Sequence, residues 1–153
     1  MIHYYYGYGK GKTTGALGLG MRAHGAGMSV LLVQFLKDSK SSELNSLPFD
    51  VFKAPDSLPF NPDNSYKAWV DSAIDYVKTS DYQVVILDEF ADIIPKFISL
   101  DSALELIDGN REFVITGHRA IDALIERADY VSKIEKIKHP YDSGTAARRG
   151  IEY

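Results

Sequence analysis

Gly7-Tyr8-Gly9-Lys10-Gly11-Lys12-Thr13-Thr14 decides how this chain is read. Three glycines at alternate positions exclude a helix or strand interior and give a tight loop. Without Cβ atoms the backbone can turn its N–H groups inward around an anion. A helix opening near Lys12 aims its positive dipole end at the same point. Lys12 adds a full charge for the terminal phosphates, and the Thr13 hydroxyl stands where a magnesium ligand is needed. The match to G-x-x-x-x-G-K-[ST] is incomplete, since its first glycine falls at Tyr6. A glycine turn beside a surface lysine is the plainer alternative. Against it, the sequence offers no packing reason for three alternate glycines. The expectation is that Gly7, Tyr8, Gly9, Lys10, Gly11, Lys12, Thr13 and Thr14 together hold the triphosphate of ATP.

The flanks of the loop supply the required context. Ile2–Tyr6 is a β-branched and aromatic run that reads as a strand, and a helix is expected from about Lys12 to His24, ending at Gly25 or Gly27. Ser29–Leu36 is a nearly continuous apolar run, as in a strand covered on both faces. Lys37–Ser46 reads as a surface loop and Phe49–Phe52 as a short strand, while Pro55, Pro59 and Pro62 make Ala54–Asn64 irregular. Tyr66, Trp69, Val70, Ala73, Ile74 and Val77 recur at helical spacing. Further helices are marked by Leu100–Ile107 and Ile121–Ala128, and further strands by Val84–Leu87, Phe113–Ile115 and Tyr130–Ile137. The tail Lys138–Tyr153 has no period. Strands alternating with helices predict an α/β fold, a three-layer P-loop NTPase-like (RecA-like) parallel sheet flanked by helices. The length of 153 residues suits one nucleotide-binding domain over 1–153.

A second motif supports the first. Val84-Val85-Ile86-Leu87-Asp88-Glu89 has the form of a Walker B strand, some 75 residues after the Gly-Lys-Thr end of the loop. Acids at the carboxyl end of a parallel strand can reach a magnesium held at a neighbouring loop. Alone the motif is weak, because any buried strand can end in an acid.

Bulk properties exclude several classes. There are no cysteines, so disulfides, thiolate-bound metals and a cysteine nucleophile are ruled out. Net charge is −4 with signs interspersed, which argues against a nucleic-acid stripe. No apolar run approaches the roughly 18 residues of a membrane span, and Met1–Tyr6 is no signal peptide. A soluble, cytoplasmic protein is the expectation.

The order of these pieces resembles a known family. The loop, then Arg22-Ala23, Val33-Gln34-Phe35-Leu36-Lys37, Leu87-Asp88-Glu89 and Thr116-Gly117 look like the P-loop ATP:corrinoid adenosyltransferases. Lys138-His139-Pro140-Tyr141-Asp142-Ser143-Gly144 and Gly150-Ile151-Glu152-Tyr153 are similar to that family's closing signature. The resemblance implies attack of a reduced Co(I) corrinoid on the 5′ carbon of ATP, with inorganic triphosphate leaving. It implies Lys12, Thr13 and Glu89 as the catalytic set, magnesium between Thr13 and Glu89, and Asp88 in a supporting role. It also implies a homodimer supplied with corrinoid by a reducing flavoprotein. The middle-loop Phe-x-Trp element of the family has its nearest counterpart in Phe60-Asn61-Pro62, which makes Phe60 the candidate corrinoid contact. With the first strand at Ile2, the helical segment that relatives place over the nucleotide is expected to be missing. Thr116-Gly117-His118-Arg119 stands where relatives often have Thr-Gly-Arg.

Other residues read as structural. Trp69 lies on the apolar stripe of its helix, His139 beside Pro140 suits a hydrogen-bonded turn, and His3, His24 and His118 show no ligand spacing. Arg22 sits too far along its helix for phosphate contact. The tail, with Arg148 and Arg149, is a candidate wall of the site. Two rival readings stay open at this level: a small P-loop ATPase or kinase, and a non-catalytic ATP- or corrinoid-binding module.

Overall fold

A computed structural model describes residues 1–39, 41–58 and 64–151. Phe60, and with it the candidate corrinoid contact, lies outside the described residues.

The chain builds one six-stranded, all-parallel sheet. Its strands are β1 (Ile2–Tyr6), β2 (Val30–Gln34), β3 (Asp50–Val51), β4 (Val84–Asp88), β5 (Glu112–Gly117) and β6 (Tyr130–Lys133). They lie in the order β3-β2-β4-β5-β1-β6. Strands β2 and β4 are buried at every position, which is why both read as unbroken apolar runs. Strand β5 sits between β1 and β4, pairing Tyr4 with Ile115 on one side and Ile86 with Val114 on the other. The phosphate-loop strand and the acid-bearing strand are therefore not neighbours.

Helices cover both faces, as the parallel connections require. Helix α1 (Lys12–Gly25) packs one face through Ala16, Gly20 and Ala23, against a core that includes Leu32, Ile86 and Val114. A Cβ on Gly20 would meet Ile86 Cδ1 at 2.7 Å, so the close approach of α1 needs glycine there. The other face carries α2 (Asn64–Thr79), α3 (Phe90–Ile93), α4 (Leu100–Leu106) and α5 (Asp122–Arg127) over the larger core. Among the described residues no helix is long and apolar enough to cross a membrane.

Three local expectations change. The last strand ends at Lys133 rather than Ile137, because the chain beyond it leaves the sheet for the phosphate loop: Gly9 N–H donates to the Ile134 carbonyl at 2.8 Å. The third strand shrinks to Asp50–Val51 at the opposite edge. Helix α3, one turn long, follows Glu89 with no periodic signal to announce it.

Candidate active site

Four parallel strands, β1, β2, β4 and β5, end on the same side of the sheet, where loops of such folds form a crevice. A cavity of about 690 Å³ opens there. Its lining includes Gly9–Thr14, Lys37, Glu43 and Glu89, together with Gly150 and Ile151 of the tail. The sequence-derived Lys12, Thr13 and Glu89 are thus brought together, and the tail does border the site. Gly7 and Tyr8 are not among the lining residues.

The glycines of the loop have a packing purpose after all. Gly7 N–H donates to the Gly117 carbonyl and Gly9 N–H to the Ile134 carbonyl. A Cβ would lie 2.4 Å from Ile134 O at Gly7 and 2.6 Å from Glu135 O at Gly9. These two residues let the loop rest directly on backbone. The amides left facing the cavity belong to its later half, at the N-terminus of α1. There the first turn of a helix has unpaired N–H groups. Lys12 is 7% exposed and donates to the Gly9 carbonyl at 3.0 Å, so its ammonium folds back across the loop it serves.

Asp88 and Glu89, adjacent in sequence, have opposite environments. Asp88 is fully buried and takes hydrogen bonds from four side chains. Thr13 Oγ1 donates at 2.9 Å, Thr116 Oγ1 at 2.7 Å, Lys37 Nζ at 2.7 Å and Gln34 Nε2 at 3.3 Å. A buried carboxylate is tolerable only when so satisfied. Asp88 therefore anchors Thr13. Glu89 turns to the cavity through a left-handed backbone, φ 59, with its N–H bonded to Thr116 Oγ1 at 2.8 Å. Its carboxyl is pushed up to about 8. Burial is the main cause, followed by a hydrogen bond with Asp92 and the charges of Asp88 and Asp92, against the lowering pull of Lys37.

His118 corrects the sequence reading. Its Nδ1 lies 2.9 Å from Asp92 Oδ2 and 3.3 Å from Glu89 Oε2, so the three side chains offer ligand atoms within 4.8 Å of one another. Lys37, Gln34 and Thr116 have no role at the level of sequence beyond the resemblance. Their signal was available: each lies at or just past the carboxyl end of a strand, and parallel strand ends converge. Trp69 packs against Phe35, Phe52 and Tyr66 and donates to the Lys53 carbonyl. His139 accepts from Tyr141 N–H in a turn.

Comparison with known proteins adds a family. Residues 1–153 match the family model described as ATP:corrinoid adenosyltransferase BtuR/CobO/CobP. The chain is similar to the corrinoid adenosyltransferase CobA of Salmonella typhimurium, 31% identical over 161 residues, covering 96% of this chain and 82% of that protein. It is also similar to the corrinoid adenosyltransferase of Pseudomonas aeruginosa, 30% identical over 166 residues, covering 96% and 80%. Among solved structures it resembles the RadB recombinase, with TM-score 0.55 and 19% identity over 90% of this chain and 76% of that one. That likeness is one of fold, the RecA-like P-loop sheet.

Proposed function

The chain belongs to the ATP:corrinoid adenosyltransferase family, and from that premise we propose how its own residues carry the reaction. The family transfers the adenosyl group of ATP to the cobalt of a reduced corrinoid. Co(I) is itself the nucleophile, so no side chain has to attack or act as base. The cobalt electron pair forms the bond to the ribose 5′ carbon as the bond from that carbon to the phosphate oxygen breaks. Triphosphate departs with those electrons.

The protein's task is to hold the reactants in line and to stabilise charge on the leaving group. The observation that carries this reading is the placing of Lys12, Thr13 and Glu89 around one cavity headed by the N-terminus of α1. In it Lys12 and the amides of Lys10–Thr14 bind the triphosphate, with Gly7, Tyr8 and Gly9 shaping the loop beneath. The oxygens of Thr13 and Glu89 suit a hard cation. So does Gln34 Oε1, a buried acceptor without a partner. Magnesium held by Thr13 and Glu89 would neutralise part of the triphosphate charge. Phe60 as the corrinoid contact rests on resemblance alone. So do the homodimer and the supplying flavoprotein, whereas the cytoplasmic location rests on composition and the single domain over 1–153 on length.

The test is anaerobic incubation with ATP, magnesium and chemically reduced corrinoid, following the cobalt–carbon spectrum and the phosphate products. Adenosylcorrinoid plus triphosphate is expected. ADP plus phosphate would mean a hydrolase, and binding without turnover a sensor. Lys12→Ala should lose at least about 100-fold in turnover, the scale of removing one preorganised charge donor; an unaffected variant would mean the loop is misassigned.

A further inference from the structure

Two non-glycine residues among those described have a left-handed backbone, Leu36 at φ 53 and Glu89 at φ 59. Such residues are uncommon, carry backbone strain, and cluster where a site needs a side chain aimed. Both lie just past the ends of adjacent strands, β2 and β4; Glu89 lines the cavity itself, and Leu36 precedes Lys37, which lines it too. The turn at Glu89 delivers its own carboxyl to the cavity. The turn at Leu36 delivers the next residue, Lys37.

That turn is held from two sides. Leu36 N–H donates to the Tyr66 hydroxyl oxygen at 2.6 Å, and Tyr66 is itself buried on α2. Phe35 N–H donates to the Asp88 carbonyl at 2.9 Å, tying the end of β2 to the end of β4. Lys37 Nζ then reaches Asp88 Oδ2 at 2.7 Å and Thr13 Oγ1 at 3.4 Å, with 26% of its side chain exposed. It lines the same cavity as Lys12.

We propose that Lys37 is a second cation for the triphosphate, aimed by the left-handed Leu36 and able to exchange its ion pair with Asp88 for phosphate oxygens. The exchange conserves charge and moves no proton. Asp88 keeps three donors when the ammonium leaves: Thr13, Thr116 and Gln34. Its burial is thus not left uncompensated. The flexible four-carbon stem of lysine permits the swing, and a compact ammonium suits a polyphosphate without demanding one geometry. Lys12 and Lys37 would then both grip the leaving group. A purely structural Lys37 would neutralise Asp88, but that role gives no reason for strain at Leu36 or for an ammonium lining the cavity.

This inference rests on the reading of the cavity as a triphosphate site. Inorganic triphosphate with magnesium should be titrated calorimetrically into wild type, Lys37→Met and Lys37→Arg. Lys37→Met is expected to bind about 10- to 100-fold more weakly, the range for one charge-assisted hydrogen bond. Lys37→Arg should recover most of the loss, since guanidinium also binds phosphate. Lys37→Met binding as tightly as wild type, even with a lowered melting temperature, overturns the proposal. If wild type binds no triphosphate, the reading of the cavity falls with it; equal binding by wild type and Lys37→Met sinks the role of Lys37 alone. A measurement on the wild-type chain guards against a variant that does not fold. Acetic anhydride labelling of Lys37, read by mass spectrometry, should slow several-fold when magnesium triphosphate is added, and an unchanged rate counts against the inference.

Discussion

At the scale of single residues, Thr116 links the two acids that matter. Its hydroxyl donates to Asp88 and accepts from the Glu89 N–H. Thr116→Val keeps the shape and removes both bonds inside a fully buried cluster. Asp88 keeps Thr13, Lys37 and Gln34 while the Glu89 N–H loses its partner, so a loss of about 1–3 kcal/mol is expected in urea unfolding. A loss below about 0.5 kcal/mol would mean that solvent or a shifted Gln34 replaces the hydroxyl. The acid pair was legible in sequence; the environments of its members were not. Side chains of consecutive strand residues point to opposite faces, but Glu89 has left the strand. Its direction is set by a left-handed turn that no pattern in Val84–Glu89 encodes.

At the scale of elements, the loop and the chain after β6 form one unit. Gly7 and Gly9 lie on the backbone of Ile134 and Glu135, while a Cβ at Gly11 would meet nothing within 4 Å. Two glycines of one loop should therefore fail for different reasons. Gly9→Ala forces a carbon into backbone at 2.6 Å and is expected to cost about 1–3 kcal/mol through displacement. Gly11→Ala meets open space and should cost about 1–2 kcal/mol from its φ of 119 alone. The distinguishing measurement is amide exchange at Ile134 and Glu135. It should accelerate in Gly9→Ala and not in Gly11→Ala, and equal behaviour would dissolve the contrast. β1, α1 and α2 were legible because each buries one face, and β2 and β4 because each is an apolar run buried at every position. Helix α3 and the end of β6 were not, since a single turn has no period and the strand's end is decided by a loop more than 120 residues away in sequence.

At the scale of the whole molecule, the larger core holds two buried phenols, Tyr4 on β1 and Tyr66 on α2. Burial pushes each up to about 12 from an ordinary value of 10. An acid whose folded value is raised stabilises the fold fully below its unfolded value and loses that contribution as pH climbs through the folded one. Stability should therefore be unaffected by these groups below pH 10 and fall between pH 10 and 12. Spectrophotometric titration of the folded protein should show Tyr4 and Tyr66 ionising late and in step with loss of near-ultraviolet dichroism, with Tyr5 and Tyr82 also raised, by burial and by hydrogen bonding to Tyr76 respectively. Ionisation of all ten tyrosines near pH 10 with the fold intact would contradict the burial argument.

By itself the sequence determined the elements and their class of architecture. Apolar periods and glycine placement act locally, and a parallel α/β sheet is how alternating strands and helices bury their apolar faces. It also marked Lys12, Thr13 and the acid pair, because a phosphate site needs charge and bare backbone at fixed spacing. The tertiary structure decided which side chains join the loop and the acid pair at the site. Lys37, Thr116, Asp92 and His118 reach the site from three different segments: past the end of β2, in helix α3, and at and just after the end of β5. Their convergence follows from the strand order β3-β2-β4-β5-β1-β6. That order is fixed by long-range packing, to which no local pattern in the chain is sensitive.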